Sequence, residues 1–199
     1  MGCDIHLYTE SKKNDSERWH NRDNWVLNEY YMADGSEGPI YQVNPLYKDR
    51  DYRLFHTLAM VRSYGDTAPT MGEAKGLPLN VSEVVQQEAD GWAGDAHSHS
   101  SWTLKELKDF QENNKDVTYS GLVTLEAARN LLDNIYPSSS CQGSSDKTLV
   151  HRTWTEPCEI LKPIIDELDA RMRDIFWIFD SARHIEKEEQ IRIVFWFDN

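Results

Sequence analysis

Positive charge is scarce in this chain: 21 Lys and Arg stand against 34 Asp and Glu, a formal net charge of −13. A surface of that sign repels phosphate backbones and anionic membranes on average, so neither nucleic-acid polymers nor membranes are expected as general partners. Such acidity can imitate DNA, but the Asp and Glu are interspersed with Lys and Arg along the chain, which weighs against a mimic. Cysteine is also sparse. Cys3, Cys141 and Cys158 are an odd number without metal-ligand spacing, the pattern of a reduced compartment. No apolar run approaches the ~18 residues of a membrane span. The first residues are polar and strand-like, so no signal peptide is expected and the expected location is cytoplasmic. Gly2 invites myristoylation, but His6 stands where that motif needs Ser or Thr. Walker-type phosphate loops, dinucleotide fingerprints and a Gly-x-Ser-x-Gly elbow are missing too, which disfavours ATP-dependent, nicotinamide and serine-nucleophile chemistry.

What is present suffices for an ordered fold. A chain of 199 residues, 39% hydrophobic and with seven Trp, can bury roughly two-thirds of its unfolded surface and is read as a single domain, 1–199. Cys3 to Thr9 alternates Cys3, Ile5 and Leu7 against Asp4, His6 and Tyr8, which predicts a half-buried strand. Gln190 to Asp198 alternates Ile191, Ile193, Phe195 and Phe197 against Arg192, Val194, Trp196 and Asp198, the strongest strand signal in the chain. Trp25 to Tyr31 is a weaker strand, with a hairpin to the first one expected. Helical spacing runs over 52–62, from Ser82 to Asp90, from the capping box Thr103-Leu104-Lys105-Glu106 to about Gln111, and over 124–135. A further helix over 159–172 must place Pro163 in its first turn or kink there, and Ile175 to Phe179 either extends it or forms a separate piece. Loops are expected over 65–78 and 137–147. The fold class expected is α+β, a small mostly antiparallel sheet including the N- and C-terminal strands, covered by several helices.

Two clusters combine carboxylate and imidazole: Asp4 with His6, and Asp95 with His97 and His99. Alternate strand residues share a face, so Asp4 and His6 project together, and Asp95, His97 and His99 do so if that segment is extended. One reading makes Asp4, His6, Asp95, His97 and His99 ligands of Zn or Mn, which would activate a water for phosphoester hydrolysis. The other needs no cofactor: His6, His97, His99, Arg53 and Arg62 hold an anionic small molecule, with Tyr52, Trp102 or Trp92 as stacking surfaces. Both compete with a structural role, in which these groups satisfy one another or the backbone. Cys3, alternating with Ile5 and Leu7, reads as a buried structural thiol.

The opening Met1-Gly2-Cys3-Asp4-Ile5-His6 resembles a family of bacteriophage and prophage accessory proteins. The likeness continues in Arg50-Asp51-Tyr52-Arg53-Leu54-Phe55, Leu58-Ala59-Met60-Val61-Arg62, Gly76-Leu77-Pro78, His97-Ser98-His99-Ser100 with Trp102-Thr103-Leu104, and Arg192-Ile193-Val194-Phe195-Trp196-Phe197-Asp198. The stretch 115–152 has no counterpart. The resemblance implies a phage accessory protein, at work in the host cytoplasm, and carries no catalytic assignment. By analogy of genomic setting it suggests counter-defence through a nucleotide-like signal, a cyclic nucleotide or ADP-ribose derivative. Sequestration of such a ligand is the leading expectation, with metal-dependent cleavage or an acidic protein-binding inhibitor as alternatives. A homo-oligomer is left open.

Overall fold

A computed structural model of the chain describes residues 2–13, 18–29, 39–62, 68–137, 140–141, 143–178 and 187–198. The fold is α+β as expected. The described residues form β1 (Ile5–Ser11), β2 (His20–Asn21), β3 (Asn24–Leu27), β4 (Tyr41–Asn44), α1 (Tyr52–Ala59), α2 (Glu83–Trp92), β5 (His97–Thr103), α3 (Leu104–Asn113), β6 (Asp116–Thr124), α4 (Leu125–Asn130), β7 (Leu149–Pro157), α5 (Lys162–Ile178) and β8 (Ile191–Phe197). They gather into two compact units. The first comprises Met1–Asp51, Ala74–Lys108 and Ile164–Asn199, and the second Tyr52–Glu73 and Asp109–Pro163.

The first unit holds a four-stranded sheet of order β2-β1-β8-β5, antiparallel throughout. Its central strand β8 is buried along its whole length. The register sets Ile5 opposite Phe197 and Leu7 opposite Phe195 on one face, and His6 opposite Trp196, Tyr8 opposite Val194 and Glu10 opposite Arg192 on the other. The polar face of β1 is not solvated, contrary to the half-buried expectation. Helix α2 covers it, packing Val85 and Ala89 against Tyr8, Val194 and Trp196. The hairpin partner of β1 is His20–Asn21, whereas the expected strand near Trp25 is β3, which pairs with β4 in a separate ribbon. Tyr30 and Tyr31 of that expectation lie outside the described residues.

Caps explain the helix starts. Ser82 Oγ accepts from Val85 N–H at 3.3 Å, and the expected capping box closes at Thr103, whose backbone N–H donates to Glu106 Oε2 at 2.7 Å while Glu106 N–H donates to Thr103 Oγ1 at 3.2 Å. Pro163 sits in the first turn of α5, where its missing N–H costs nothing. That helix continues through Ile175 to Ile178, while Phe179 lies outside the described residues.

The second unit is built on a long hairpin, β6 with β7, registered from Asp116 opposite Pro157 to Thr124 opposite Leu149. Gly121 lies where a Cβ would meet Ser140 Oγ at 2.8 Å and Cys141 O at 3.2 Å, so a side chain there would push off the strap that bridges Cys141 to Leu122. The helix expected over 124–135 is shorter, ending in a 3-10 turn at 131–133, with Leu125 and Leu132 of its apolar stripe exposed. The three cysteines are free thiols and Cys3 is fully buried.

One ionic contact in the first unit lies wholly inside. Arg192 Nε donates to Glu10 Oε2 at 2.8 Å, and the two side chains are 7% and 0% exposed. Removing one partner strands a buried charge, so Glu10→Leu is expected to cost roughly 3–5 kcal/mol. The double variant Glu10→Leu with Arg192→Met should recover most of that loss in chemical denaturation. Equal destabilisation of single and double variants would contradict the pairing.

Candidate functional site

Helix α2 lies along β1 in the opposite chain direction, fixed by three successive contacts. Ser82 N–H donates to Glu10 Oε1 at 2.6 Å, Tyr8 Oη donates to Glu88 Oε2 at 3.1 Å, and the Trp92 ring stands 4.1 Å from the His6 ring. Burial, then the Glu88 charge and hydrogen bond, push the Tyr8 phenol far up, so it stays a donor. The two ends of α2 therefore meet different chemistry.

Its C-terminal end meets the expected histidines. Trp196 is the hub: Tyr8, His99 and His6 stack on it at 5.1, 5.6 and 5.9 Å between centroids. His6 Nε2 contacts Asp198 Oδ2 at 3.1 Å, and Asp198 Oδ1 accepts from Asp4 N–H at 2.9 Å. Asp4 itself takes a fork from Arg50, at 2.7 and 2.8 Å. Asp4 and His6 are thus each engaged by a different group of the same unit, Arg50 and Asp198.

The second cluster splits. The register between β5 and β8 shifts between His97 and Ser100, and Ser98 takes φ +53, a bulge that turns consecutive side chains. His97 stacks on Phe197 at 6.0 Å and His99 on Trp196 at 5.6 Å. Phe197 and Trp196 are adjacent in one strand, so the two imidazoles lie on opposite faces of the sheet, and the shared face expected for Asp95, His97 and His99 is not formed. Asp95 sits in the 3-10 turn before β5. Among the described residues no three His, Cys, Asp or Glu side chains are placed to hold one metal ion, so Asp4, His6, Asp95, His97 and His99 are not one ligand set. Burial, then the neighbouring His97 charge, lower the His99 imidazole, which leaves it neutral near pH 7. Among the described residues His97 Nε2 and Trp196 Nε1 are buried without a hydrogen-bond partner.

The remaining expected ligand residues are differently placed. Trp102 is in the first unit, 8% exposed, with Lys75 Nζ 3.3 Å from its ring centroid, so that face is covered. Tyr52, Arg53 and Arg62 belong to the second unit. There Arg53 donates to Glu156 Oε1 at 3.0 Å and Pro137 O at 2.9 Å and lies 4.5 Å over Tyr119. It lines a cavity of about 350 Å³ with Tyr119 and Tyr136. Tyr52 packs edge-on to Phe55, and Arg62, just beyond α1, takes φ +57.

The N-terminal end of α2 borders a larger cavity, about 670 Å³, walled by Arg18, Trp19, His20, Asn21 and Trp25 on one side and by residues 79–84 on the other. Two of these wall residues touch the buried pair: Arg192 reaches Asn80 Oδ1 at 3.2 Å and lies 3.9 Å over Trp19. Lys12 also approaches Trp19, at 5.2 Å. Trp25 is different, 56% exposed at the cavity wall. Val85 N–H is used by the Ser82 cap and Gln86 N–H by Ser82 O, while among the described residues Glu83 and Val84 N–H have no acceptor, the usual state of a helix's first amides. These amides and Arg18 favour an anion; the Glu83 carboxylate opposes it. None of these wall residues is among the ligand contacts expected from sequence, although Arg18-Trp19-His20 with Trp25 concentrates indoles and cations in a turn-rich stretch.

Comparison with known protein families, curated proteins and solved structures gives no match to this chain. The case for a site rests on its geometry.

Burial would raise the Asp198 carboxyl, but the Asp4 amide, the His6 contact and the Arg50 charge outweigh it and hold the group below the ordinary range. The unfolded chain therefore takes up this proton first on acidification. The stabilisation is complete above the ordinary Asp range and is lost as pH falls through it toward the lowered folded value. Asp198→Asn should cost roughly 1–2 kcal/mol at neutral pH and flatten the decline in melting temperature below about pH 4. A decline as steep as wild type would contradict this role.

Proposed function

We propose that the protein binds and holds a small anionic molecule carrying a planar ring, of nucleotide type, in the cavity at the start of α2. The observation that carries this reading is one 670 Å³ space joining the exposed Trp25 ring to Arg18 and the first turn of a helix. The volume is that of a small-molecule site, and its wall offers the two surfaces a nucleotide needs, a ring to stack on and donors for a phosphate. Glu83 at the rim discriminates against ligands whose charge falls on that side. A net charge of −13 repels anions at long range, so recognition depends on these local contacts.

Holding is favoured over cleavage because the imidazoles and carboxylates suited to hydrolysis are spread over two faces of the sheet and engaged by Trp196, Phe197, Asp198 and Arg50. A ligand held without turnover is withdrawn from whatever would read it. That matches the counter-defence role suggested, by analogy of genomic setting, for the bacteriophage accessory proteins the chain resembles.

Calorimetry with cyclic di- and trinucleotides and ADP-ribose derivatives should give saturable binding of at least one compound, recovered unchanged by chromatography. Trp25→Ala should weaken it by about tenfold or more, the effect of losing 1–3 kcal/mol of base stacking, while His99→Ala leaves it within about twofold, under 0.5 kcal/mol. Flat titrations throughout, or a converted ligand, would overturn the reading.

A further inference from the structure

The charges that face the cavity at the start of α2 are few. Among the described residues its wall holds one fixed cation, Arg18, and one carboxylate, Glu83, both exposed and neither in an ion pair. His20 adds an imidazole without a fixed charge. Arg192 touches Asn80 and Trp19 of the wall, but its charge is answered by Glu10. Lys12 stands 5.2 Å from the Trp19 ring centroid and is not part of the wall.

Neutral donors complete the set. Asn80 Oδ1 and its backbone O both accept from Arg192, at 3.2 and 3.4 Å, which orients the carboxamide. Among the described residues Asn80 Nδ2 has no acceptor. With the Glu83 and Val84 amides it offers hydrogen bonds without a full charge. The helix start adds about half a positive charge to that of Arg18, and Glu83 removes a whole one. What is left goes some way toward one negative charge. A second would stand unanswered, in a chain that already carries −13.

Phosphate chemistry divides on that count. A phosphodiester carries a single charge, whereas a terminal phosphate ester carries about −1.5 to −2 at pH 7. Resting on the binding proposed for this cavity, we infer that the phosphate held at the start of α2 is a singly charged diester and that Glu83 sets this preference. The ligand class narrows to nucleotides whose phosphates are bonded on both sides, as in a cyclic or internucleotide linkage. Terminal phosphates are turned away. Glu83 is the first residue of α2, so its carboxylate shares the wall with the unused amides that attract the phosphate. An exposed acid there also stabilises the helix start. Its variant is therefore judged by a ratio of two affinities, which a change in stability leaves alone.

Titration of the full chain at about pH 8, followed at the Trp25 indole by two-dimensional NMR so that millimolar affinities are read, compares the 5′-monophosphates of adenosine, guanosine, cytidine and uridine with their monomethyl esters. Each pair differs by a methyl group and a charge. For a base that binds, the ester should bind about tenfold or more tightly than the monophosphate. In Glu83→Gln the two should come within about threefold of each other. If that variant folds poorly, the wild-type ratio still decides the ligand class. Equal affinities in wild type, tighter binding of the monophosphate, or a preference that survives in folded Glu83→Gln would each overturn this inference and leave the nucleotide reading of the cavity standing. No shift of the Trp25 indole with any compound would overturn that reading, and this inference with it.

Discussion

Glu10 is buried on a strand face and must be neutralised there, and much of the first unit follows from how this is done. Its two carboxylate oxygens are divided: Arg192, directly across in β8, takes one, and the backbone N–H of Ser82 takes the other. A desolvated carboxylate tolerates little displacement, since losing either donor leaves charge in an apolar interior. Because Ser82 is also the cap of α2, the bond that satisfies Glu10 fixes where that helix begins. Tyr8 with Glu88, two residues back along β1, and His6 with Trp92, two further, then set its direction.

This placement makes the ends of α2 chemically unequal. At its start the amides of the first turn, Arg18 and an exposed indole face an open volume. At its end the space is filled by rings. His6, His99 and Tyr8 pack on Trp196, and the chain ends are tied by Asp198, which accepts from Asp4 N–H while its own N–H donates to Asp4 O at 3.2 Å. The residue types most suggestive of reactivity thus serve mainly to close the sheet. Residues of unremarkable local pattern surround the larger cavity.

How much of this could be read beforehand depends on whether the information is local. Strands β1 and β8 are legible because a period of two over seven residues marks a strand, although both of its faces are buried, and α2 and α3 because their caps lie within four residues of the first turn. The hairpin β6–β7 is not among the elements expected from sequence: Val117 and Tyr119 alternate with Thr118 and Ser120, but Gly121 and the adjacent apolar pair Leu122 and Val123 break the period. The bulge at Ser98 follows from no local rule: a positive φ at serine accompanies a register shift in which His97 to Ser100 spans one residue more than Phe197 to Phe195 across from it. The cavity was invisible because its walls, 18–25 and 79–84, meet only in the folded chain. His/Asp content identified a real cluster around Trp196, but composition could not say that Asp4, His6 and Asp198 already hold partners.

The central claim is that ligand enters at the start of α2 and not at the histidines beyond its end. Two-dimensional NMR during titration with a binding nucleotide tests this most directly. The account expects the Trp25 indole and the Glu83 and Val84 amides to shift progressively, while the Trp92 indole and His99 amide stay in place. Shifts centred on Trp92, His99 and Trp196, with Trp25 and the first turn of α2 unmoved, would contradict it.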